Sequence, residues 1–436
     1  MSVRFGGGRD RVRLRGRVTP PSDKSISHRA AIVGAMCEAP VAIAGYLDAA
    51  DTRSTLQAMR RLGASVQGRD GELVIRGVGA AGPRCDEVLD VGNAGTLMRL
   101  LPGWLASVAG RSFALDGDAS IRRRPVDRIA LPLRAMGARV DARGGRFPPF
   151  TVLGAQLAGL DYELPVASAQ VKSCVLLAGL ATDVTTVREA VASRDHTERM
   201  LLAAGAPVGR RRLRDGGWVS SVGRAGELAL DRIVVPADLS SAAFLITAAV
   251  LLPGAEVTLT GVGVNWTRSG FLEILRRMGA RVGGELEPPG TFAAAEPICD
   301  LEVAHGALTG TEVGADEVPL AIDELPLVAL LGCFAEGETV VRGAAELRVK
   351  ESDRIATVVD GLRGLGADIE ALPDGFAVRA AGGLRGGRLD AHGDHRLALL
   401  GAVAGLASQD GVEVIGMEAA AVSYPGFADD LRALSH

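Results

Sequence analysis

One pattern of apolar and polar positions recurs along the chain: an amphipathic helical stretch, a glycine, and a run that alternates between apolar and polar residues. Glycine just after a helix enters the left-handed conformation without a Cβ penalty, and alternation is typical of a strand. The pattern predicts helix–glycine–strand junctions at Gly63, Gly137, Gly205, Gly279 and Gly366. Their spacing of 68 to 87 residues exceeds the roughly 20–50 residues of a solenoid repeat, so we expect units of two helices and several strands.

A sixth copy of this pattern is divided between the two ends of the chain. Residues 427–434 resemble the same helix, but the sequence ends before a glycine and strand follow. Residues 12–18 alternate as a strand does. We hypothesise that this first strand supplies what the last repeat lacks, which would place both termini in one domain.

Six repeats divide naturally into three and three, and prolines mark two candidate crossings, at residues 19–21 and 235–237. Proline cannot continue a central strand, although an ordinary loop position remains the alternative for both. We expect residues 1–19 and 237–436 to form a domain that contains both termini, with residues 20–236 as an inserted domain. The active site is expected in the cleft between them.

Composition narrows the class of ligand. The net charge is −4, whereas a nucleic-acid or membrane-surface binder is more often basic. No apolar stretch approaches the roughly 20 residues needed to span a bilayer. The five cysteines lack CxxC spacing, which argues against a disulfide framework or a zinc site and favours a reducing, cytoplasmic setting. We expect each to be a buried apolar residue: Cys37, Cys85, Cys174, Cys299 and Cys333.

The first chemical motif lies at a predicted helix start. Ser22 or Asp23 can cap the helix, and Lys24, Ser25 and Arg29 then occupy its first turns. Exposed amides, the helix dipole and two cations together form an anion site. A capped surface helix with unrelated charges is the alternative.

Further segments place polar or cationic residues at helix starts. Residues 92–96 are glycine-rich and precede an apolar helix, and residues 118–125 contain three consecutive arginines, of which at most two can face one ligand. A solvated charged turn is the alternative for these arginines. Residues 168–173 open another apolar helix, and residues 193–196 repeat the theme. We interpret His196 as a surface residue, although it could act as a base.

Acidic residues appear in three segments near the C-terminus. Asp323 and Glu324 lie within apolar sequence, where a carboxylate rarely occurs without a partner. Glu351 lies close to cationic neighbours that would keep it ionised or prepare it for proton transfer, with a local salt bridge as the alternative. Asp394 is a natural N-cap that places Arg396 in the first turn of a helix. Converging helix starts of this kind would bind a pair of small polyanions.

The motifs are also similar, in order, to those of a known family. They are Pro-Ser-Asp-Lys-Ser-x-Ser-His-Arg, Gly-Asn-Ala-Gly-Thr, Arg-Pro, Ser-Ala-Gln, Arg-Val-Lys-Glu-Ser-Asp-Arg and Asp-His-Arg. Together they strongly resemble the 5-enolpyruvylshikimate-3-phosphate synthases, from Pro20 to about Pro425. The resemblance implies an α/β fold with two domains of three βαβαββ repeats each, an inside-out α/β barrel with helix N-termini facing the interdomain cleft. It also implies transfer of enolpyruvate from phosphoenolpyruvate to the 5-hydroxyl of shikimate 3-phosphate in aromatic amino-acid biosynthesis.

The resemblance assigns roles residue by residue. Asp323 would take the proton of the 5-hydroxyl, Glu351 would manage the proton at the methylene carbon, and Lys24 would assist phosphate departure. Shikimate 3-phosphate would contact Lys24, Ser25, Arg29, Ser168, Ala169, Arg194, Asp323 and Lys350. Phosphoenolpyruvate would contact Lys24, Asn93, Gly95, Arg124, Gln170, Arg354 and Arg396.

Charge balance agrees with this assignment. The two substrates together carry roughly −5 to −6, and the assigned site supplies the cations Lys24, Arg29, Arg124, Arg194, Arg354 and Arg396. We therefore expect no cofactor and no metal, since the cations do the electrostatic work. The expected partners are the two small substrates, without nucleic acid or membrane, and the chain is expected to act as a monomer.

Two positions depart from the pattern of this family. Val422 stands where many members have a lysine, and Leu100 follows Arg99 where others have proline. Gly95 matches the pattern that is sensitive to the inhibitor glyphosate, so inhibition is expected.

Two rival functions stay open. The sister enzyme acting on UDP-N-acetylglucosamine usually has Lys-Asn near its start and a cysteine in a mobile loop, neither of which this chain shows. A non-catalytic anion-binding homologue is the other rival.

Overall fold

A computed structural model describes residues 1–7, 12–380 and 382–435. The chain forms two compact units. We call one the terminal unit, which comprises Met1–Pro21, Pro236–Pro288 and Pro297–His436. The other is the inserted unit, which comprises Ser22–Val235 together with Pro289–Glu296. This last segment was not part of the inserted domain expected from the sequence.

Helices and strands alternate through both units. The helices are α1 (Lys24–Met36), α2 (Ala50–Arg61), α3 (Gly95–Ala106), α4 (Asp127–Ala135), α5 (Ala169–Gly179), α6 (His196–Ala203), α7 (Leu239–Leu251), α8 (Gly270–Arg277), α9 (Val318–Ala321), α10 (Leu325–Gly332), α11 (Arg354–Gly364), α12 (His395–Ala407) and α13 (Phe427–Leu434). The strands as far as the inserted unit's end are β1 (Ser2–Phe5), β2 (Arg15–Val18), β3 (Val41–Ala44), β4 (Ser65–Arg69), β5 (Glu72–Arg76), β6 (Leu89–Asp90), β7 (Ser112–Asp116), β8 (Arg139–Arg143), β9 (Phe147–Leu153), β10 (Asp161–Glu163), β11 (Val184–Glu189), β12 (Val208–Arg212), β13 (Trp218–Gly223) and β14 (Arg232–Val234). The remaining strands are β15 (Glu256–Gly263), β16 (Arg281–Gly283), β17 (Ile298–Ala304), β18 (Glu312–Val313), β19 (Glu338–Val341), β20 (Asp368–Leu372), β21 (Gly375–Arg379), β22 (Gly387–Asp390) and β23 (Val412–Ile415).

The inserted unit contains three four-stranded sheets of one design. Their orders are β14-β3-β5-β4, β6-β7-β9-β8 and β10-β11-β13-β12. In each sheet the first pair is parallel and the other two pairs are antiparallel. This is the arrangement that a βαβαββ repeat produces, except that β14, from the end of the unit, fills the first position of the first sheet.

The terminal unit repeats this design in the sheets β2-β15-β17-β16 and β18-β19-β21-β20. Its third sheet has the order β22-β23-β1, with β22 parallel and β1 antiparallel to β23. The α/β class and the repeat design that the resemblance implies are therefore confirmed.

The hypothesis that residues 12–18 complete the last repeat is wrong, although a different N-terminal strand does join the last sheet. Ser2–Phe5 pairs with β23, whereas Arg15–Val18 pairs in parallel with β15 of another sheet. Alternation alone reports that a segment is a strand, not which edge it joins. The short segment Ser2–Phe5 was missed because four residues followed by glycines give little periodic signal.

Glycine ends the second helix of five repeats as the sequence predicts. Each of the five glycines has a positive φ, from 82° at Gly205 to 108° at Gly137. Between helices and sheets lie two apolar cores, one in each unit, built mainly from Ala, Val, Leu and Ile. The first helices of the repeats, such as α1, α7 and α12, are buried along nearly their whole length, so only their ends can meet a ligand.

The cysteines follow the expectation in part. All five are free. Cys37, Cys174 and Cys333 are buried, whereas Cys85 and Cys299 are partly exposed, so the expectation of burial was wrong for these two. No helix in the described ranges is long and apolar enough to cross a membrane.

Closure of the sixth sheet by β1 leads to a stability prediction. Phe5 is 9% exposed and packs in the core of the terminal unit, so Phe5→Ala should lower the free energy of unfolding by about 3 kcal/mol. Ser2→Ala, at the exposed start of the same strand, should change it by less than about 0.5 kcal/mol. Urea unfolding of both variants measures this, and equal stabilities would contradict a structural role for β1.

Candidate active site

Helix α1 begins as the sequence predicts. The Asp23 side chain caps it by accepting a hydrogen bond from the Ile26 amide at 2.8 Å. Lys24 and Ser25 thereby occupy the first turn, where the helix dipole favours an anion. The Lys24 ammonium lies 3.4 Å from a carboxylate oxygen of Asp51 on α2, a partner that sequence reasoning missed.

Arg29 is buried one turn further along α1 and is held entirely by neutral oxygens. Its guanidinium donates to the hydroxyls of Ser25 at 2.7 Å, Thr197 at 2.7 Å and Ser173 at 3.1 Å, and to the Ser25 carbonyl at 3.0 Å. Across the described part of the chain it makes no ion pair. Burial lowers the pKa of Arg29 to about 10; the carboxylate of Glu198 opposes this effect and the charge of Arg194 adds to it. The arrangement fixes the geometry of a cation without neutralising it.

The glycine-rich motif and the arginine run meet at the start of α3. Arg124 donates to the side-chain oxygen of Asn93 at 2.9 Å. A Cβ atom on Gly95 would lie 2.9 Å from Nη1 of Arg124, so glycine leaves room for the guanidinium against the first turn. Of the other two arginines of the run, Arg122 pairs with Asp116 and Arg123 is exposed. That at most two of the three arginines face a ligand stays a prediction.

Ser168, Ala169 and Gln170 open α5, where the Ser168 hydroxyl accepts from the Val171 amide at 3.5 Å. The Gln170 side chain bridges to α3, because its oxygen accepts from Arg99 at 3.0 Å and its nitrogen donates to Thr96 at 3.3 Å. The inserted unit thus brings the starts of α3 and α5 together.

Arg194 is half-buried and lies two residues before the first residue of α6. His196, the first residue of that helix, was interpreted as a surface residue, and this was wrong. It is 1% exposed, and its Nδ1 lies 2.7 Å from a carboxylate oxygen of Glu296. The partner comes from the segment Pro289–Glu296, which is distant in sequence and so gave no local signal.

The terminal unit holds the other predicted residues around one buried guanidinium. Arg354 binds Asp394 at 2.8 Å and Glu351 at 2.7 Å, and it lies 3.5 Å from Asp323. Burial alone would lower the pKa of Arg354, but the charges of Asp394, Glu351 and Asp323 outweigh it and raise that pKa above its ordinary value. Asp394 caps α12 as predicted, accepting from the Arg396 amide at 2.9 Å. Its second role, as counter-ion of Arg354, was not anticipated.

Asp323 is surrounded by cations. Lys350 Nζ lies 3.5 Å from Oδ1 of Asp323, and Arg396 Nη2 lies 3.7 Å from Oδ2. Arg396 also donates to the Asp323 main-chain oxygen at 3.0 Å. Glu324, the adjacent carboxylate, is instead buried against Ser240. Asp323 is therefore the member of this pair that stays accessible beside the cations.

The site residues thus form two sets. Lys24, Arg29, Asn93, Gly95, Arg124, Gln170 and Arg194 belong to the inserted unit, together with Ser25, Ser168 and Ala169, whereas Asp323, Lys350, Glu351, Arg354 and Arg396 belong to the terminal unit. Both sets lie at or near helix starts rich in hydrogen-bond donors. The repeats and these sites define an α/β protein of the class that binds small polyanions at helix N-termini.

Comparisons with known proteins specify the family within this class. The family described as EPSP synthase (3-phosphoshikimate 1-carboxyvinyltransferase) matches residues 9–431, and the chain belongs to this family. The 3-phosphoshikimate 1-carboxyvinyltransferase of Pelotomaculum thermopropionicum is 48% identical over 423 residues, 95% of each chain. An EPSP synthase structure from Acinetobacter baumannii is 40% identical with a TM-score of 0.86, covering 100% of this chain and 98% of that one. The enolpyruvyl transferase NikO from Streptomyces tendae, 19% identical with a TM-score of 0.75 over 99% of this chain and 97% of its own, shares the fold.

His28 lies beside the site residues of α1 and stays neutral. Its Nδ1 is 2.6 Å from the Thr55 hydroxyl, and its Nε2 is buried with no hydrogen-bond partner among the described residues. Burial lowers the pKa of His28 from its ordinary 6.5 to about 3, and the charges of Lys24 and Arg29 add to the effect. Because the imidazole of His28 is unprotonated, it does not add a third positive charge to those of Lys24 and Arg29 in the first two turns of α1.

The lowered pKa of His28 predicts a pH dependence of stability. Below pH 6.5 the His28 side chain binds a proton in the unfolded chain, whereas in the folded chain it stays unprotonated down to about pH 3. The free energy of unfolding therefore falls as the pH falls through this window. At pH 5 the loss from this group is about 2 kcal/mol relative to neutral pH. His28→Asn should remove that part of the loss, measured by urea unfolding at pH 7 and pH 5.

A matched control is His392→Asn, since His392 is exposed and its positive φ of 50° suits asparagine. The control should keep the wild-type pH dependence. An unchanged dependence in His28→Asn would contradict the neutral, buried state of His28.

Proposed function

We propose that this chain transfers the enolpyruvyl group of phosphoenolpyruvate to the 5-hydroxyl of shikimate 3-phosphate and releases inorganic phosphate. Membership of the family supports this reaction. The observation that carries the proposal is Arg29, a buried guanidinium whose hydrogen-bond partners are uncharged oxygens. Keeping such a charge without a counter-ion is costly, so the group is prepared for an anionic substrate.

The proposed substrate contacts are those that the family resemblance assigns to residues of the two sets. Shikimate 3-phosphate binds Lys24, Ser25, Arg29, Ser168, Ala169, Arg194, Asp323 and Lys350. Phosphoenolpyruvate binds Lys24, Asn93, Gly95, Arg124, Gln170, Arg354 and Arg396. Guanidinium groups suit this task because their donors match carboxylate and phosphate oxygens in pairs.

The proposed chemistry is addition followed by elimination. Asp323 takes the proton of the 5-hydroxyl while that oxygen bonds to the central carbon of phosphoenolpyruvate, and Glu351 donates a proton to the methylene carbon. The bond between the central carbon and the phosphate oxygen of the tetrahedral intermediate then breaks. Lys24 stabilises the departing phosphate, and Glu351 takes a proton back from the methyl group.

The cations around Asp323 and Glu351 support these roles. Lys350, Arg354 and Arg396 favour the ionised carboxylate of Asp323, which is the form that accepts a proton. The hydrogen bond from Arg354 to Glu351 at 2.7 Å orients the second carboxylate. As substrate anions bind to the same cations, the charge balance around both carboxylates changes.

The experiment that tests the function is phosphate release from purified protein without added metal. Release with phosphoenolpyruvate and shikimate 3-phosphate together, and with neither alone, is the expected result. Activity with UDP-N-acetylglucosamine in place of shikimate 3-phosphate would assign the chain to the sister reaction. Binding of both substrates without turnover would indicate a non-catalytic homologue. Inhibition by glyphosate, a monomeric state and a cytoplasmic location stay predictions.

The two carboxylates give a sharper prediction. Asp323→Ala and Glu351→Gln should each lower the turnover number by about 10²–10⁴-fold, because each removes one proton-transfer group. Asp360→Asn is the control, since Asp360 is an exposed residue of α11 paired only weakly with Arg363 at 3.6 Å. Steady-state phosphate release at saturating substrates measures all three, and near-normal turnover in either test variant would exclude its proposed role.

A further inference from the structure

A cluster of fully buried charges lies beneath the turn that carries Arg194. It consists of Lys172 on α5, Glu189 on β11, Glu198 on α6 and Arg210 on β12, and we call it the buried cluster. The Lys172 ammonium lies 2.8 Å from Glu189 and 3.0 Å from Glu198. The four side chains are at most 1% exposed, so no ligand reaches them directly.

The buried cluster holds the residue before Arg194 by both its backbone and its side chain. Lys172 donates to the Ser193 carbonyl at 3.1 Å, and the Ser193 hydroxyl donates to Glu189 at 2.5 Å. That carbonyl belongs to the peptide unit that joins Ser193 to Arg194. Fixing this peptide unit sets the direction in which the Arg194 side chain leaves the backbone.

The residue after Arg194 is held as firmly. One carboxylate oxygen of Asp195 accepts from Arg210 at 2.6 Å, and the other accepts from Arg199 at 2.9 Å. Arg199 is itself fixed by donating to the main-chain oxygens of Thr291 and Ala295, each at 3.1 Å. Arg194 is thus the half-buried residue between two immobilised neighbours.

We propose that the buried cluster positions Arg194 for the anionic groups of shikimate 3-phosphate, with Lys172 and Glu189 as positioning residues that never touch the substrate. The inference rests on the proposed function and adds to it. Arg194 and the buried Arg29 are both cations, so without a ligand their charges repel each other. A turn held only by solvated contacts would let Arg194 move away from Arg29. Ordering the Arg194 side chain would then reduce the free energy gained when the substrate binds.

A purely stabilising role explains the cluster less well. Removing charges from water is expensive, and buried ion pairs are often no more stabilising than apolar residues of similar size. All three donors of the Lys172 ammonium are used, and one of them goes to the backbone next to Arg194. An ammonium held by three acceptors fixes the position of the Ser193 carbonyl, and small misplacements of a binding group can reduce rates strongly.

The test compares Lys172→Met with Ser193→Ala. Lys172→Met removes the contact to the Ser193 carbonyl and should raise the KM for shikimate 3-phosphate about tenfold, with kcat and the KM for phosphoenolpyruvate changed less than about twofold. Ser193→Ala removes the hydroxyl contact to Glu189 but leaves the ion pairs intact, and it should raise the same KM by a smaller factor. Asp161→Asn removes an exposed ion pair to Arg188 on β11 and should leave every constant unchanged.

A double-mutant cycle with Arg194→Ala separates positioning from general damage. If Ser193 and Lys172 act through Arg194, adding either change to Arg194→Ala should not weaken binding of shikimate 3-phosphate further. Titration calorimetry with shikimate 3-phosphate alone measures this. Additive losses, or an unchanged KM in Ser193→Ala, would overturn the inference.

Two outcomes need separate interpretation. If Lys172→Met does not fold, because Glu189 and Glu198 are left buried without their cation, the Ser193→Ala cycle alone decides the question. If the wild-type protein releases no phosphate with both substrates, the proposed function fails. An active wild type whose Ser193→Ala variant is indistinguishable from it rejects only the positioning role.

Discussion

The compensation of buried guanidinium groups is the constraint on which the candidate site depends. Arg354 in the terminal unit is surrounded by the carboxylates of Asp394, Glu351 and Asp323, which keep its charge firmly in place. Arg29 in the inserted unit has hydroxyl and carbonyl partners instead, and its pKa falls to about 10. The charge of Arg354 is therefore compensated by carboxylates of its own unit, whereas the hydrogen-bond partners of Arg29 are uncharged oxygens.

The repeat architecture makes this arrangement possible. In each repeat the first helix is buried along its length, so its N-terminal turn is the part left to contact a ligand. Side chains there benefit from unpaired backbone amides and from the helix dipole. Arg29, one turn further along α1, is held by neighbouring repeats through Ser173 of α5 and Thr197 of α6, whereas Arg124 is held by Asn93 of its own repeat. A cation fixed in this way loses little rotamer freedom when a substrate binds.

Much of the candidate site could be predicted from local sequence because capping and helix starts are local properties. Asp23 and Asp394 cap their helices as expected, and the polar residues that follow occupy first turns. The errors concern residues whose environment comes from distant segments. His196 is buried and hydrogen-bonded to Glu296, one hundred residues away. The link from Lys172 to the Ser193 carbonyl crosses from one helix to the turn before the next. No periodicity or motif reports such contacts.

The sequence by itself determined the repeat, the α/β class, the positive-φ glycines after the second helices and the residue types of the site, since each depends on neighbours within a few turns. Tertiary structure decided which strand completes which sheet. Ser2–Phe5 joins β23, Arg15–Val18 joins β15 and β14 joins β3, because edge pairing depends on which backbone groups remain free after the core has packed. The tertiary structure also decided which cations have a counter-ion. Pairing of charges depends on their distance in space and on their burial, and a sequence pattern reports neither.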